Sequence, residues 1–256
     1  MIKFGPGGLG GVKEAIPNLE KYSKLGLKAC EIEFTYGAYI KKQEDAEKIR
    51  KKAKELGISL SIHAHYWINL NSEDKDKIEK SKERILECLK IGTWLDASVV
   101  VFHPGYYGKM DKKETYENIK RAMLDLQEKR KEKKYTPELA PETTGKINVF
   151  GSVEEIARLV RDTECSFCID FAHILAREKE YRFEDTLSKL KSDNLHIHFS
   201  GIVYGEKGEK HHKKTEEKEW KALLKALPKD KEITIINEAP TPVEDAKEGL
   251  EIYKKI

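Results

Sequence analysis

The chain has 256 residues, of which 39% are hydrophobic, so it holds enough apolar material for one large α/β domain or two small ones. Lysine and arginine number 48 against 45 aspartates and glutamates; the net charge of +3 excludes nucleic-acid binding by bulk charge, so any phosphate affinity must be local. No run approaches the roughly 18 apolar residues of a membrane span, and the N-terminus lacks a secretory-type apolar stretch, so we expect a cytoplasmic protein without membrane association.

Strand-like and helix-like segments alternate eight times along the chain. Between the strands, apolar residues recur at i, i+3 and i+4, which is the spacing of helices packed on a sheet. Eight such units in about 250 residues match the size of one (β/α)8 TIM barrel of the α/β class. No Pro-, Gly- or Ser-rich linker divides the chain, so residues 1–256 are predicted to form a single TIM-barrel domain. The predicted strands lie near residues 1–4, 28–34, 58–64, 97–103, 137–142, 166–171, 194–199 and 232–238.

The run G-P-G-G-L-G follows the first predicted strand, and Gly5, Gly7 and Gly10 have the spacing of a dinucleotide-binding turn. Glu31 or Glu33, on the next strand, would then be the ribose-binding acid. A doubly wound domain, however, gives no reason for five separate strands to end in histidine or carboxylate. The glycines are therefore interpreted as allowing tight turns on the first loop of a barrel.

Nine side chains that can bind metal ions stand almost entirely where a predicted strand ends and a loop begins. In a TIM barrel these strand ends meet at one mouth, where catalytic residues gather. Histidine, glutamate and aspartate are the ligands that a zinc-type ion prefers when it must keep an open position for substrate. The sequence therefore predicts a metal site at the C-terminal face of the barrel. The nine residues are His63, His103, Glu142, Asp170, His173, His196, Glu209, His211 and Glu238.

Seven short motifs accompany these residues. They are H-A-H-Y-W-I-N-L (63–70), F-H-P-G (102–105), P-E-T-T-G (141–145), C-I-D-F-A-H (168–173), H-I-H-F-S (196–200), E-K-H-H (209–212) and N-E-A-P (237–240). In this order they resemble the endonuclease IV family of apurinic/apyrimidinic endonucleases, three-zinc TIM-barrel enzymes of base-excision repair in the xylose isomerase-like superfamily. F-H-P-G is identical to the family's fourth-strand motif. The resemblance spans nearly the whole chain.

The resemblance implies about three divalent ions per chain, zinc above all, with manganese also acceptable at one site. The three ligand groups would be His63, His103 and Glu142; Glu142, Asp170, His196 and Glu238; and His173, Glu209 and His211. Glu142 would bridge the first two ions. Glu209 stands where the family has aspartate, so the third group departs most from the family pattern.

The implied activity is hydrolysis of the phosphodiester 5′ to an abasic site in double-stranded DNA, leaving a 3′-hydroxyl. Clustered divalent ions suit this reaction because they lower the pKa of a water molecule, clamp the phosphate oxygens and neutralise the leaving group. Glu142 and Glu238 are the predicted catalytic residues, since they can hold and orient the attacking hydroxide. The expected partner is DNA with abasic sites, and the expected state is a monomer.

Four side chains are predicted to contact DNA. Tyr66 and Trp67 match the family's pair that enters the base stack at the lesion, and packing in the core is the alternative. Lys109 and Lys210 lie in or beside loops of the same face, where they can contact phosphates or remain simply solvated.

Some residues fall outside the family pattern. The family's basic intercalating residue after the second strand has no clear counterpart, and Tyr36 or Tyr39 is the substitute considered. His65, His198 and His212 are expected to be hydrogen-bond partners of ligands, phosphate contacts or packing residues.

The runner-up function is a sugar isomerase or epimerase on the same barrel. That activity needs fewer ions, with a catalytic acid/base pair over a small pocket. Cys165 and Cys168 form a C-x-x-C on a strand, where residues three apart point to opposite faces. We therefore expect them to be structural and reduced rather than redox-active or zinc-binding.

Overall fold

The computed structural model describes residues 1–256. Its strands are β1 (Ile2–Pro6), β2 (Ala29–Glu33), β3 (Ser59–His63), β4 (Val99–Phe102), β5 (Glu138–Pro141), β6 (Cys168–Asp170), β7 (Asn194–His198), β8 (Gly201–Gly205), β9 (Gly208–Lys213) and β10 (Glu232–Asn237). Its helices are α1 (Val12–Lys24), α2 (Gln43–Leu56), α3 (Lys75–Leu95), α4 (Lys112–Glu132), α5 (Val153–Thr163), α6 (Phe171–Glu178), α7 (Phe183–Lys189), α8 (Glu217–Ala226) and α9 (Pro242–Tyr253).

Eight parallel strands close into a barrel. They form two four-stranded sheets, in the orders β1-β10-β7-β6 and β2-β3-β4-β5. Parallel bridges between Gly7 and Glu31 and between Glu142 and Cys168 join the two sheets at both seams. All eight predicted strands are present, and the prediction of a TIM barrel is confirmed.

The strand register brings the polar strand ends to one level. Glu33 pairs with His63 across β2 and β3, and Asp170 pairs with His198 across β6 and β7. Because the strands run parallel, their C-terminal ends open on the same mouth. The predicted ligands are thereby drawn together from positions far apart in the chain.

The core lies mainly between the barrel and the helices. It is a continuous cluster of 56 buried residues, and Phe4, Phe199 and Trp220 form an aromatic contact within it. The four cysteines are all buried and unpaired. None of the helices is long and apolar enough to span a membrane.

Two elements differ from the predicted pattern: helix α6, which follows β6, and the β8–β9 hairpin, which follows β7. Helix α6 starts immediately after β6, because the Asp170 side chain accepts a hydrogen bond from the backbone N–H of His173 and caps the helix. After β7 the chain forms an antiparallel hairpin, β8–β9, which packs against α6 before α8 begins. The sequence pattern suggested a plain loop here, yet this hairpin carries part of the site.

Candidate metal centre

The first ligand group comes entirely from the β2–β5 sheet. His63 ends β3, while His103 and Glu142 follow β4 and β5. The Nε2 atoms of His63 and His103 lie 3.3 and 2.9 Å from Oε2 of Glu142. One donor atom from each residue lies within 4.8 Å of the other two. The structure therefore brings together all three residues that the resemblance placed here.

A second group shares Glu142 and contains Asp170, His198 and Glu238. Nδ1 of His198 lies 3.1 Å from Glu142 Oε1 and 3.5 Å from Glu238 Oε1. The resemblance placed His196 in this group, whereas the structure has His198 there and brings His196 together with Cys168 and His198. Both histidines face the barrel interior, but His196 is one strand repeat further from the mouth, roughly 6–7 Å deeper.

The third group consists of Asp170, His173 and His212, with Glu209 Oε2 3.5 Å from His173 Nε2. The resemblance placed His211 here, but His211 is exposed. A β-bulge explains why the third group contains His212 rather than His211. Val203 pairs with His211 and Tyr204 with Glu209, so the residue between them on β9 has no partner. The extra residue turns Glu209 and His212, three positions apart, toward the same side, where regular alternation would have paired Glu209 with His211.

Glycine is required at one point beside this third group. A Cβ at Gly145 would lie 2.8 Å from the Cβ of Glu209 and 3.0 Å from the His173 ring. The bare backbone therefore allows the hairpin to approach α6. This close approach brings Glu209, with its longer side chain, within reach of the His173 ring.

The buried carboxylates and imidazoles shift one another's pKa values strongly. Burial would raise the pKa of Glu142, but His103 and His198 hold it well below its usual range. Burial would lower the pKa of His63, yet its hydrogen bond to Glu142 raises it to about 9. Burial raises the pKa of Asp170 to about 7. The carboxylates therefore depend on nearby positive charge, which either protonated imidazoles or divalent ions can provide.

The residues present fit divalent ions. Asp170 belongs to both the second and the third group, and its Oδ2 is fully buried without an aligned hydrogen bond, with His173 Nδ1 3.3 Å away. An unpaired buried carboxylate oxygen is costly unless a cation occupies the space beside it. Imidazole nitrogens mixed with carboxylate oxygens are the donor set that zinc and manganese accept.

Glu33 is a site residue outside the nine predicted ligands. It ends β2 directly opposite His63, and burial together with Glu238 raises its pKa to about 7. Its position at the C-terminal end of a strand is the available signal, although the sequence pattern presents it only as a ribose-binding acid. A Cβ at Gly7 would lie 2.5 Å from Glu33 Oε1, so the first loop approaches the site closely at this glycine.

A cavity of about 310 Å³ lies over the ligand groups. Its lining includes His63, His103, His173, Glu209, His212 and Glu238. The cavity is partly open to solvent, so the ligand groups can be reached from outside the barrel.

Three aromatic side chains form a cluster at the cavity edge, called here the aromatic rim. Tyr36, Tyr66 and Trp67 are 81%, 49% and 53% exposed, which does not fit the alternative of core packing. The Tyr36 ring lies edge-on to both partners, with centroids 6.0 and 5.9 Å apart. Tyr66 also lies 5.8 Å from the His63 ring. Tyr39 instead packs against the core, so Tyr36 is the tyrosine available at the surface.

The remaining predicted residues lie as follows. Lys109 is exposed on the loop after β4, and Lys210 is the exposed, bulged residue of β9. His65 is buried and contacts Cys88, outside the ligand groups. The two lysines stand on the loop after β4 and on the β8–β9 hairpin, and neither lines the cavity.

A closed parallel barrel with histidine and carboxylate clusters at its C-terminal mouth defines a protein of the TIM-barrel class. Residues 19–256 match the family model described as Xylose isomerase-like TIM barrel, and the chain belongs to that family. An uncharacterized protein of Methanocaldococcus jannaschii is 35% identical over 274 residues, covering 100% of this chain and 98% of that protein.

Further similarities point to two kinds of enzyme. A probable endonuclease 4 of Thermoplasma volcanium is 31% identical over 143 residues, covering 52% of this chain but only 47% of that relative. The crystal structure of endonuclease IV from Thermus thermophilus superposes with a TM-score of 0.69, at 22% identity, covering 99% and 97% of the two chains. D-Psicose 3-epimerase from Clostridium cellulolyticum superposes with a TM-score of 0.72, at 15% identity, covering 99% of both chains. At these identities the structures establish the fold alone.

Replacing Glu33 by Gln should make the stability of the metal-free protein less sensitive to pH. Because the folded-state pKa of Glu33 is raised to about 7, the wild-type protein loses stability as pH rises from its unfolded pKa through 7. Glutamine has no proton to lose, so the variant should gain roughly 2–3 kcal/mol relative to wild type between pH 5 and pH 8. Urea unfolding in the presence of a chelator at both pH values measures this difference.

Glu83→Gln, at an exposed position on α3, is the control and should keep the pH dependence of stability of the wild-type protein, because it retains Glu33. An equal stability difference between Glu33→Gln and wild type at both pH values would contradict the burial argument.

Proposed function

We propose that the protein is a metal-dependent DNA repair endonuclease that hydrolyses the phosphodiester 5′ to an abasic site and leaves a 3′-hydroxyl. One observation carries the proposal: the three ligand groups lie around a single open cavity and overlap. Glu142 is common to the first and second groups, and Asp170 to the second and third. Shared carboxylates hold neighbouring ions a few ångströms apart, the spacing at which two-metal sites clamp a phosphate.

The ligand roles follow from the geometry. His63, His103 and Glu142 would hold one ion, and Glu142, Asp170, His198 and Glu238 a second. His173 and His212 would hold the third, with Asp170 and Glu209 beside it. When bound, these ions would supply an activated water and neutralise charge on the phosphate and the leaving oxygen. We propose zinc, with manganese acceptable at one site.

Glu142 and Glu238 are the residues that we propose act on the attacking water. Both are ionised, since the pKa of Glu142 is well below its usual range and, although burial opposes it, His198 lowers that of Glu238 to about 2. As acceptors they can hold and orient the attacking water by hydrogen bonding. Glu142 is fully buried, and four imidazoles fix its two oxygens, so its orientation is set before substrate arrives.

The cavity edge suits a damaged duplex. Tyr36, Tyr66 and Trp67 expose large aromatic faces at the edge of the cavity, and the Tyr66 ring lies beside the ring of the ligand His63. There they can fill the gap left by a missing base. Lys109 and Lys210 flank the same mouth and can contact the phosphates on either side. We propose that Tyr36 serves in place of the basic intercalating residue that the family resemblance implies.

The relatives support the nuclease. The sequence matches to proteins named endonuclease 4 come from several organisms, although they cover about half the length of those relatives. The likeness to the crystal structure of endonuclease IV extends over the whole chain but, at 22% identity, concerns the fold alone.

A sugar epimerase is the second candidate, and one observation favours it. Glu142, Asp170, His198 and Glu238 form a self-sufficient four-residue group that could hold a single ion in the middle of the mouth. Epimerases are also among the structures with this fold. A one-ion site, however, leaves His63, His103, His173 and His212 without a role, and it does not use the exposed aromatic rim.

The protein should bind about three zinc ions per chain, because the ligand groups provide three overlapping sites of three or four donors. His212→Gln should lose about one ion, whereas His211→Gln, its exposed neighbour, should retain all of them. Elemental analysis of protein purified without chelator and reconstituted with zinc measures the stoichiometry. A single ion in wild type would favour the epimerase, and no uptake would contradict both functions.

Replacing Glu142 by Gln should reduce cleavage of an abasic-site duplex by about 10³-fold or more, which is ~4 kcal/mol of transition-state stabilisation. The reason is that this carboxylate serves two of the three groups at once. Single-turnover cleavage of a labelled duplex, followed by identification of the product ends, measures the effect.

The matched control is Glu138→Gln, at the opposite end of the same strand, where the side chain pairs with Arg130 outside the mouth. It should cleave at nearly the wild-type rate. Wild-type activity in Glu142→Gln with full metal content would rule out the proposed role of Glu142.

Replacing Tyr36, Tyr66 and Trp67 together by Ala should lower the preference for abasic over intact duplex about tenfold, or ~1.4 kcal/mol, while sparing metal content. An abasic site lowers the cost of opening the stack, so loss of the wedge weakens binding to the damaged substrate most. Binding to both duplexes at one salt concentration is the measurement, because phosphate contacts change both affinities together. Leu124→Ala, an exposed apolar residue on α4, should change neither affinity, and equal losses on both duplexes in the triple variant would refute lesion recognition by the rim.

A further inference from the structure

A layer of polar side chains lies inside the barrel beneath the ligand groups. Its centre is Glu31, in the middle of β2, which is fully buried. The Glu31 side chain reaches across the interior to two histidines of β7. A buried carboxylate in a barrel interior is costly unless its oxygens are paired, so this arrangement requires a physical explanation.

One oxygen of Glu31 is fully engaged. Oε2 accepts a hydrogen bond from the Ser61 hydroxyl at 2.7 Å and lies 2.8 Å from Nε2 of His196. Ser61 and His196 therefore fix the position of the Glu31 carboxylate.

The other oxygen faces His198. Glu31 Oε1 and His198 Nε2 lie 2.8 Å apart; both atoms are fully buried, they are not aligned as a hydrogen bond with each other, and neither has another partner. The opposite nitrogen of the same ring, Nδ1, faces Glu142 and Glu238 in the second ligand group. One imidazole therefore connects the ligand group at the mouth with the carboxylate beneath it.

We propose that Glu31 is a positioning residue that keeps the His198 proton on Nε2, leaving Nδ1 free to bind an ion in the second group. A neutral imidazole has one N–H and one acceptor nitrogen, and the group that accepts the N–H selects which nitrogen can bind metal. Ser61 and His196 act one step further away by holding Glu31 in place. His196 therefore contributes to the site as a support rather than as a ligand.

This inference rests on the proposed function, because it concerns a ligand of the metal centre. It assigns roles to three residues, Glu31, Ser61 and His196, that the ligand groups at the mouth do not use. It also gives a reason why two histidines one strand repeat apart both face inward: the upper one binds, and the lower one holds the carboxylate that orients it.

Zinc titration against a competing chelator tests the proposal. Glu31→Gln should weaken one zinc site 10–100-fold, the usual effect of removing such a hydrogen-bond partner, and leave the other sites unchanged. Ser61→Ala keeps the charge and volume nearly intact, so it should fold and weaken the same site by a smaller factor. The matched control is Glu219→Gln, which removes a hydrogen-bonded carboxylate in the first turn of α8, outside the barrel. This variant should bind zinc as wild type does.

A second measurement reads the proton directly. In long-range ¹H–¹⁵N spectra of the zinc-loaded protein, the His198 signal, assigned by its absence in His198→Gln, should show the proton on Nε2. In Glu31→Gln this N–H should exchange faster with water. A purely structural role for Glu31 would change stability without moving either readout.

Several results would overturn the inference. One is unchanged affinity at every zinc site in Glu31→Gln, and another is a His198 proton on Nδ1. A third is the loss of one zinc in Cys168→Ser, because Cys168, His196 and His198 would then hold an ion where the carboxylate is proposed to act. A wild-type protein that takes up no zinc would overturn the proposed function as well, whereas normal uptake with an unaffected Glu31→Gln overturns this inference alone.

Discussion

Four imidazole rings converge on one buried carboxylate. His63 and His103 approach Oε2 of Glu142, while His173 and His198 approach Oε1, all within 3.4 Å. These histidines come from four different strand ends, and Glu142 itself follows a fifth. The barrel can place them this way only if it is closed and its strands keep their register. The positions of the strand ends around the mouth are therefore tied to this contact.

The overall architecture could be predicted from the sequence because it is a repeating pattern. Strand ends and helix periodicity depend on local composition, and closure of eight such units into a barrel leaves little freedom. The structure brings the three residues of the first predicted group together, because each of them stands at the end of its own strand. No neighbouring histidine competes for the position of His103.

The structure groups different histidines from those that the resemblance implies at two places, and at both of them two histidines stand close together. On β7, His196 and His198 share a face, so alternation cannot say which one reaches the mouth; the answer depends on the depth at which the strand ends. On β9, the choice between His211 and His212 depends on a bulge, and no local composition signal marks it. A family motif predicts which residue types occur and in what order along the chain. Metal binding depends in addition on the direction in which each side chain points.

The two sheets that close the barrel divide the ligands between them. One sheet provides His63, His103 and Glu142, and the other provides Asp170, His198 and the strand before Glu238. Any ion held by Glu142 together with Asp170 or Glu238 would therefore act as a staple across the seam, and it would bind the folded chain alone. Opening the barrel would require that ion to leave first, so the same ligands that perform chemistry would also slow unfolding and protect the chain from proteolysis in its open state.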